Sequence, residues 1–395
     1  MRKLIKLDKI YDIKFDSKIH SFLSPEHIYI PIENGFDLLK KQNSKVLMGE
    51  AILENKLKKI KSSISGKVIG TSKLICDGVE KECIVIENNY EEDSKEVKNI
   101  IKNISSEDII NNLFIHNLDK YADKLKKLNI ENLVINGMED EPYFENNPFV
   151  LNKYASDILK ITDKLINAFD IKNAYIAIKS NDTENINLFL SKIGTYTNIN
   201  LSLIEDKYLL GSDFFLLENM NLKDNSLVIS AQDLLSIYNS VVYLCDIDTT
   251  FITIASPFLP KSYVINVKIG TLLSDVFNSL NINIKENYLC IYNGLMTGYE
   301  VDYKKCIVTS NMKGVIIIPK FNEEEKPCNL CGMCYKICPV KVNPKNVMDT
   351  GKKSKNCIDC GLCTYICPCK INLRKYLRGQ KWMFIWSLKI MKIKY

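Results

Sequence analysis

At 395 residues the chain is too long for one ordinary hydrophobic core, and two to four domains are expected. Its 46% hydrophobic and 25% charged residues are those of a globular protein rather than a disordered one. The net charge of +6 is modest and is carried almost wholly by dispersed lysines, Arg2, Arg374 and Arg378 being the only arginines, so no Arg/Lys stripe with interleaved aromatics points to nucleic acid.

The chain opens Met1-Arg-Lys-Leu-Ile-Lys-Leu-Asp-Lys9, which lacks the apolar run of a signal peptide, and no later apolar segment approaches bilayer length. A cytoplasmic protein with reduced thiols is expected. Up to residue 90 the β-branched runs Ile28–Ile32, Ser63–Ile69 and Glu82–Glu87, punctuated by Gly and Asp-Gly turns, predict a β-rich unit over 1–90. Asn88 to Ser106 is polar and charged and reads as a linker. From Glu107 the pattern alternates: a helix over 107–128, a strand at Asn132–Ile135, and a helix over 148–169 with Leu151, Tyr154, Ile158, Ile161, Leu165 and Ala168 on its apolar face. A strand at Ala174–Ile178, a helix at 184–193, a strand near 199–204, and a strand then helix within Ser226–Val242 follow. Alternation at this spacing predicts a largely parallel α/β unit over 105–245.

Strands at Phe251–Ala255, Tyr263–Val267, 288–292 and 315–318 around a helix at 271–281 predict a small α+β unit over 246–320. Phe321–Pro327 is an acidic linker into a cysteine-rich unit over 325–380, closed by a helix at Asn372–Arg378. The tail, 381–395, holds both tryptophans. Residues 382–394 suit either a last helix packed on its own chain or an interfacial segment that docks on a membrane or membrane partner.

The cysteine-rich unit carries the clearest chemistry. Cys328-x2-Cys331-x2-Cys334-x3-Cys338-Pro339 is repeated as Cys357-x2-Cys360-x2-Cys363-x3-Cys367-Pro368. A cubane iron–sulfur cluster needs four thiolates, and in this spacing the fourth cysteine of each run ligates the other cluster. One [4Fe–4S] cluster is therefore assigned to Cys328, Cys331, Cys334 and Cys367, the other to Cys357, Cys360, Cys363 and Cys338. The prolines stop any helix after each crossing ligand. Zinc is the alternative, but eight evenly placed cysteines without a histidine do not suit it. Cys369 reads as a small filler beside a cluster rather than a redox thiol, Cys76 and Cys83 as residues packed in β-structure, and Cys245, Cys290 and Cys306 as core.

With these parts in this order the chain resembles RnfC, the peripheral subunit of the Rnf ferredoxin:NAD oxidoreductase complex, and the related proline reductase-associated electron-transfer protein PrdC. The resemblance rests on the cysteine repeat and on Asn136-Gly-Met-Glu-Asp-Glu-Pro-Tyr143, with Ser24–His27, Ile64–Val68, Val264–Leu273 and Asn293–Gly298 as looser likenesses. It implies a barrel-sandwich-like first unit, a flavin/NADH-type α/β unit, a β-grasp-like third unit and a ferredoxin-like 2×[4Fe–4S] domain. It also implies that Asn136, Gly137, Glu139, Glu141 and Pro142 lie near flavin and dinucleotide. On the residues alone, the same stretch reads equally as a strand-to-loop turn with solvated acids.

One departure matters. The glycine-rich flavin loop that the family implies before Leu133 is absent, since no glycine occurs between Gly78 and Gly137. Bulky Asn111–Asn117 stands there, with His116 expected to be solvated or on a helix surface, and Tyr208–Asp213 keeps only Gly211. Glycine is what lets backbone approach a flavin or its phosphate. The expectation is therefore two clusters without FMN or direct NADH oxidation, because a hydride's electron pair needs a carrier that can divide it. Such a chain relays single electrons between a reduced donor and an oxidoreductase or membrane complex, lying in the cytoplasm or at the inner face of the membrane. Two alternatives stay open: an FMN-containing NADH dehydrogenase subunit, and a docking scaffold whose clusters are structural.

Overall fold

In the N-terminal region, apolar and polar residues alternate along Gly66–Cys76 and Val79–Asn88, and Asp77-Gly78 joins the two strands into a long antiparallel hairpin. Both turn residues have positive φ (49° and 80°), the conformation of a tight hairpin turn whose twist matches its strands. The computed structural model describes residues 4–9, 12–91, 104–127, 129–222, 225–320, 324–378 and 391–392. Strands His27–Pro31 and Lys45–Val46 flank the hairpin to give four strands, and a second sheet joins Asp37–Leu38, Ala51–Glu54 and Lys59–Lys61. Ile28, Ile30, Val46, Ile52, Leu53, Val68, Ile84 and Ile86 form their common core.

The α/β unit is built on four parallel strands in the order Ile199–Ile204, Asn173–Lys179, Asn132–Asn136, Ser226–Ser230. Helix Asn146–Phe169 buries Val150, Leu151, Ala155, Ile158, Leu159, Ile161, Leu165 and Ile166, a stripe at three- and four-residue spacing. It packs with helix Ala231–Val242 in the largest hydrophobic core among the described residues. The single helix expected over 107–128 is two, Ser106–Ile115 and Asp119–Lys127, parted at Asn117, whose φ of 61° no helix interior adopts. Ser105 and Asp108 close a reciprocal capping box at the first helix's start. Of the linker read over 88–106, residues 92–103 lie outside the described residues.

The third unit is a six-stranded mixed sheet in the order Tyr299–Glu300, Tyr288–Tyr292, Gly314–Pro319, Thr249–Ala255, Tyr263–Lys268, His20–Phe22, with helix Leu273–Ser279 against it. The last strand comes from the first ninety residues. The hairpin tip also reaches this unit. Asp77 accepts hydrogen bonds from Tyr292 Oη (2.7 Å), Thr309 Oγ1 (2.6 Å) and Asn311 Nδ2 (3.0 Å).

Over the described residues 324–378 the cysteine-rich unit holds four short helices, Met333–Ile337, Pro344–Thr350, Leu362–Tyr365 and Leu373–Arg378, and no strand. The expected ferredoxin-like character is thus not expressed in strands here. Gly332 and Gly361, both at positive φ, stand just before helices Met333–Ile337 and Leu362–Tyr365, and the Pro after each crossing cysteine bars these two from running on. Gly351, at φ 68°, ends Pro344–Thr350. The tail read over 381–395 lies outside the described residues except for Met391–Lys392, which pairs antiparallel with Asp8–Lys9. Among the described residues no helix is long and apolar enough to cross a membrane.

Candidate functional site

The second cysteine run folds around a cavity of about 360 Å³, open at its mouth, whose wall includes Cys357, Cys360 and Cys363 together with Cys338 from the first run. Four thiols drawn from both runs thus share one hollow. Its remaining wall is apolar, from Val340, Val342, Pro344, Leu362 and Leu377, with Arg374 and Asp359 as the charged members. Backbone amides already address the sulfurs: Val342 N–H donates to Cys338 Sγ (3.2 Å) and Asp359 N–H to Cys357 Sγ (3.4 Å). Burial, then the neighbouring thiols of Cys338 and Cys357, push the Cys360 thiol up to about 11.

Of the other four cysteines, Cys328, Cys334 and Cys367 are partly buried and Cys331 is exposed. Cys334 is raised by burial and, after opposing backbone hydrogen bonds, by Cys331 and Cys328. Cys367, from the second run, is raised by burial and feels Cys331 of the first. This set is more open to solvent: Asn329 to Gly332 is exposed throughout, Leu330 by 76%. Among the described residues no three His, Cys, Asp or Glu side chains gather closely enough for a single metal ion. Cys369 is buried among Val342, Val347, Ile371 and Leu373, as a filler would be.

At the carboxyl ends of the parallel strands lies a second hollow, about 440 Å³ with its open mouth, whose wall includes Glu139, Glu141, Lys179, Asp206, Lys207 and Tyr208. Open parallel sheets place ligands at this end. Asn136, buried at the end of its strand, donates from Nδ2 to Gly211 O (2.7 Å) and accepts from Met138 N–H (3.0 Å). Glu139 accepts from Asn147 N–H (2.6 Å). Glu141, 5% exposed, accepts from Met296 N–H (2.9 Å) and from Thr297 Oγ1. Burial pushes both carboxyls up to about 7, against these hydrogen bonds. The acids read as a solvated cluster are therefore embedded, Glu141 wholly and Glu139 at the rim of the hollow.

The two hollows are one side chain apart. Tyr208 lines the second and donates from its hydroxyl to the backbone oxygen of Cys360 at 2.7 Å. The loop held by Glu141 completes the seam, since Met296 O lies where a Cβ on Gly361 would stand, at 2.3 Å.

Comparison with known proteins bears on this arrangement. Residues 118–227 match the family described as the Nuo51 FMN-binding domain. The chain is 22% identical over 233 residues to the RnfC component of the ion-translocating oxidoreductase complex of Rhodobacter capsulatus, covering 55% of this chain and 45% of that protein. It is 20% identical over 238 residues to the corresponding component of the Na+-translocating ferredoxin:NAD+ oxidoreductase complex of Acetobacterium woodii, covering 57% and 54%. The chain resembles RnfC. It spans about half the length of the curated relatives it matches. The NAD+-reducing [NiFe]-hydrogenase in its H2-reduced state aligns at 10% identity and a TM-score of 0.43 over 65% of this chain and 55% of that one, too distant to bear on function.

Of the residues in the RnfC pattern, Glu139 and Glu141 line the hollow while Asn136 and Gly137 are buried in the protein, and the contacts of Asn136, Glu139 and Glu141 are spent on the chain itself. A Cβ on Gly137 would strike Leu151 Cδ1 at 2.2 Å and Ala177 O at 2.6 Å. One on Gly211 would strike Glu139 O at 2.2 Å. Both glycines serve chain-to-chain approach, and neither leaves an open cradle for a ligand. Asn111–Ile115 belongs to helix Ser106–Ile115. These residues therefore do not fit FMN in the glycine-lined manner that the resemblance implies, although Asn136, Gly137, Glu139, Glu141 and Gly211 lie within the matched residues 118–227, which Asn111–Ile115 precedes.

His116 is not on a helix surface. It is 3% exposed, and its Nδ1 lies 2.8 Å from Asp246 Oδ1, which also binds Lys61 Nζ at 2.8 Å. Burial pushes the Asp246 carboxyl up, but hydrogen bonds from His116 and Lys61 prevail and hold it below the ordinary range. The group ties the first unit to the α/β unit. Its members lie up to 185 residues apart, and no local pattern announces them. Cys245, read as core, is only partly buried, whereas Cys76, Cys83, Cys290 and Cys306 are fully buried.

Proposed function

We propose that this chain is an iron–sulfur electron-transfer protein of the RnfC/PrdC kind. It relays single electrons through two [4Fe–4S] clusters between a reduced donor and an oxidoreductase or membrane complex. Cys328, Cys331, Cys334 and Cys367 would hold one cluster, and Cys357, Cys360, Cys363 and Cys338 the other. The observation that carries the reading is the hollow walled by three thiols of one run and the last thiol of the other, which is what crosswise ligation requires. Bound there, the clusters supply one-electron storage. The chain's own part is to hold the thiols, to direct Val342 and Asp359 amides at sulfur, and to keep water from the inner set with Leu362, Leu377 and Val342.

Replacing a crossing ligand tests the assignment. Cys338→Ala should lower iron from about eight to about four per chain and remove one of two cluster signals in electron paramagnetic resonance (EPR) spectra. Cys369→Ala should leave about eight. Loss of both clusters in Cys369→Ala, with none lost in Cys338→Ala, would overturn the ligand set.

A second reading is favoured by the Nuo51 FMN-binding match over 118–227. In it the hollow beside Glu139, Glu141 and Tyr208 takes FMN by contacts other than glycine backbone, and the chain oxidises NADH. Flavin absorbance that stays with the purified protein separates it from the first reading.

A further inference from the structure

In a chain whose 53 basic residues are lysines at all but three positions, the arginine at 374 is buried beside the inner thiols. Arg374 is 3% exposed and lines the hollow of Cys338, Cys357, Cys360 and Cys363. Its Nε donates to Asp359 Oδ1 at 2.5 Å and its Nη2 to Asp359 Oδ2, the forked pairing that lysine cannot make. Its backbone N–H donates to Thr364 Oγ1 (3.0 Å) and its Nη1 to Gly298 O (3.4 Å). Asp359 sits between two of the thiols and lends its amide to the sulfur of Cys357. A buried ion pair is seldom a gain in stability over apolar packing of the same volume, so stability alone is a weak reason for one here.

We propose that Arg374 and Asp359 are a tuning pair that sets the reduction potential of the inner cluster, the one nearer the α/β unit. The inference rests on the electron-relay reading and deepens it. A cluster gains negative charge when reduced, and charges fixed in a low-dielectric wall bias that step directly. The guanidinium favours the added electron and the carboxylate opposes it. The side chains hold these opposite biases in balance, which gives the proposal its signature.

The test is an EPR-monitored redox titration of the full-length protein loaded with iron and sulfide under anaerobic conditions. In Arg374→Gln one of two midpoints should fall, because Asp359 is left uncompensated. In Asp359→Asn the same midpoint should rise. Each change should alter that cluster's reduction equilibrium at least about tenfold, or about 59 mV for one electron. The other midpoint should stay in place, and Arg374→Lys should recover much of the loss. Cys331→Ser, which alters the exposed set alone, identifies which signal moved. If both variants keep two clusters and neither midpoint moves, or both move in one direction, the pair is a structural lock and the proposal is wrong. If Arg374→Gln loses its inner cluster, Asp359→Asn decides by the sign of its shift, an unchanged or lowered midpoint overturning the idea. A wild-type protein without two cluster signals would instead overturn the relay reading itself.

Discussion

Glu141 is placed where an ionised carboxylate is least welcome. Only 5% exposed, it meets the Met296 amide and the Thr297 hydroxyl, and burial holds its proton up to about pH 7. The unfolded chain releases that proton near the ordinary value of 4.5. Between these values the folded state binds more protons than the unfolded one, so stability falls as pH rises from about 4.5 to about 7 and then levels. Glu139, raised in the same sense, adds to the slope. Glu141→Gln should remove one carboxyl's share, up to about 3 kcal/mol. Thermal unfolding followed from about pH 5 to about pH 8 should show the variant's curve clearly flatter than the wild type's, and parallel curves would contradict the account. Sequence marks Glu141 as notable, through its place in the Asn136–Tyr143 motif, but not what it touches. Its partner Met296 is 155 residues away, and no periodicity reports a contact of that range. The burial of His116 is hidden for the same reason, because its environment is supplied by Asp246 and Lys61 from distant elements.

At the scale of elements, local chemistry is largely legible. The strand Asn132–Asn136 and the helix Asn146–Phe169 fall within a residue or two of expectation, and the helix Ala231–Val242 ends where expected, since the strand is a compact apolar run and the helices carry strong apolar periodicity. The break at Asn117 is hidden because buried positions run on through both helices, at Ile109, Leu113, Leu118, Tyr121 and Leu125. How the units meet is not legible, since the joints are single close approaches. Gly361 is one: its φ is +77°, and Met296 O fills the place of a Cβ at 2.3 Å. Gly361→Ala should cost at least about 2 kcal/mol from strain and backbone displacement together. It should also speed amide hydrogen exchange over 293–298 while leaving the hairpin 66–88 protected. Unchanged exchange over 293–298 would mean that this contact does not hold the cysteine-rich unit to its neighbour.

At the scale of the whole molecule, the two cysteine sets stand in different surroundings. One set faces the α/β unit across Tyr208 and the Glu141-held loop, and the other presents Asn329–Gly332 to solvent. That polarity suits a relay with one face toward its own chain and one toward a partner. The resemblance to RnfC covers about half of this chain at 20–24% identity, and the family match includes an FMN-binding description, so cofactor content is the property on which the readings divide most sharply. The measurement to make is iron, acid-labile sulfide and flavin per chain in anaerobically purified full-length protein. The account predicts about eight irons, about eight sulfides and no retained flavin. Zinc in place of iron, with no sulfide, would contradict the electron-transfer account, and stoichiometric FMN beside eight irons would contradict its flavin-free form and make NADH oxidation the leading assay.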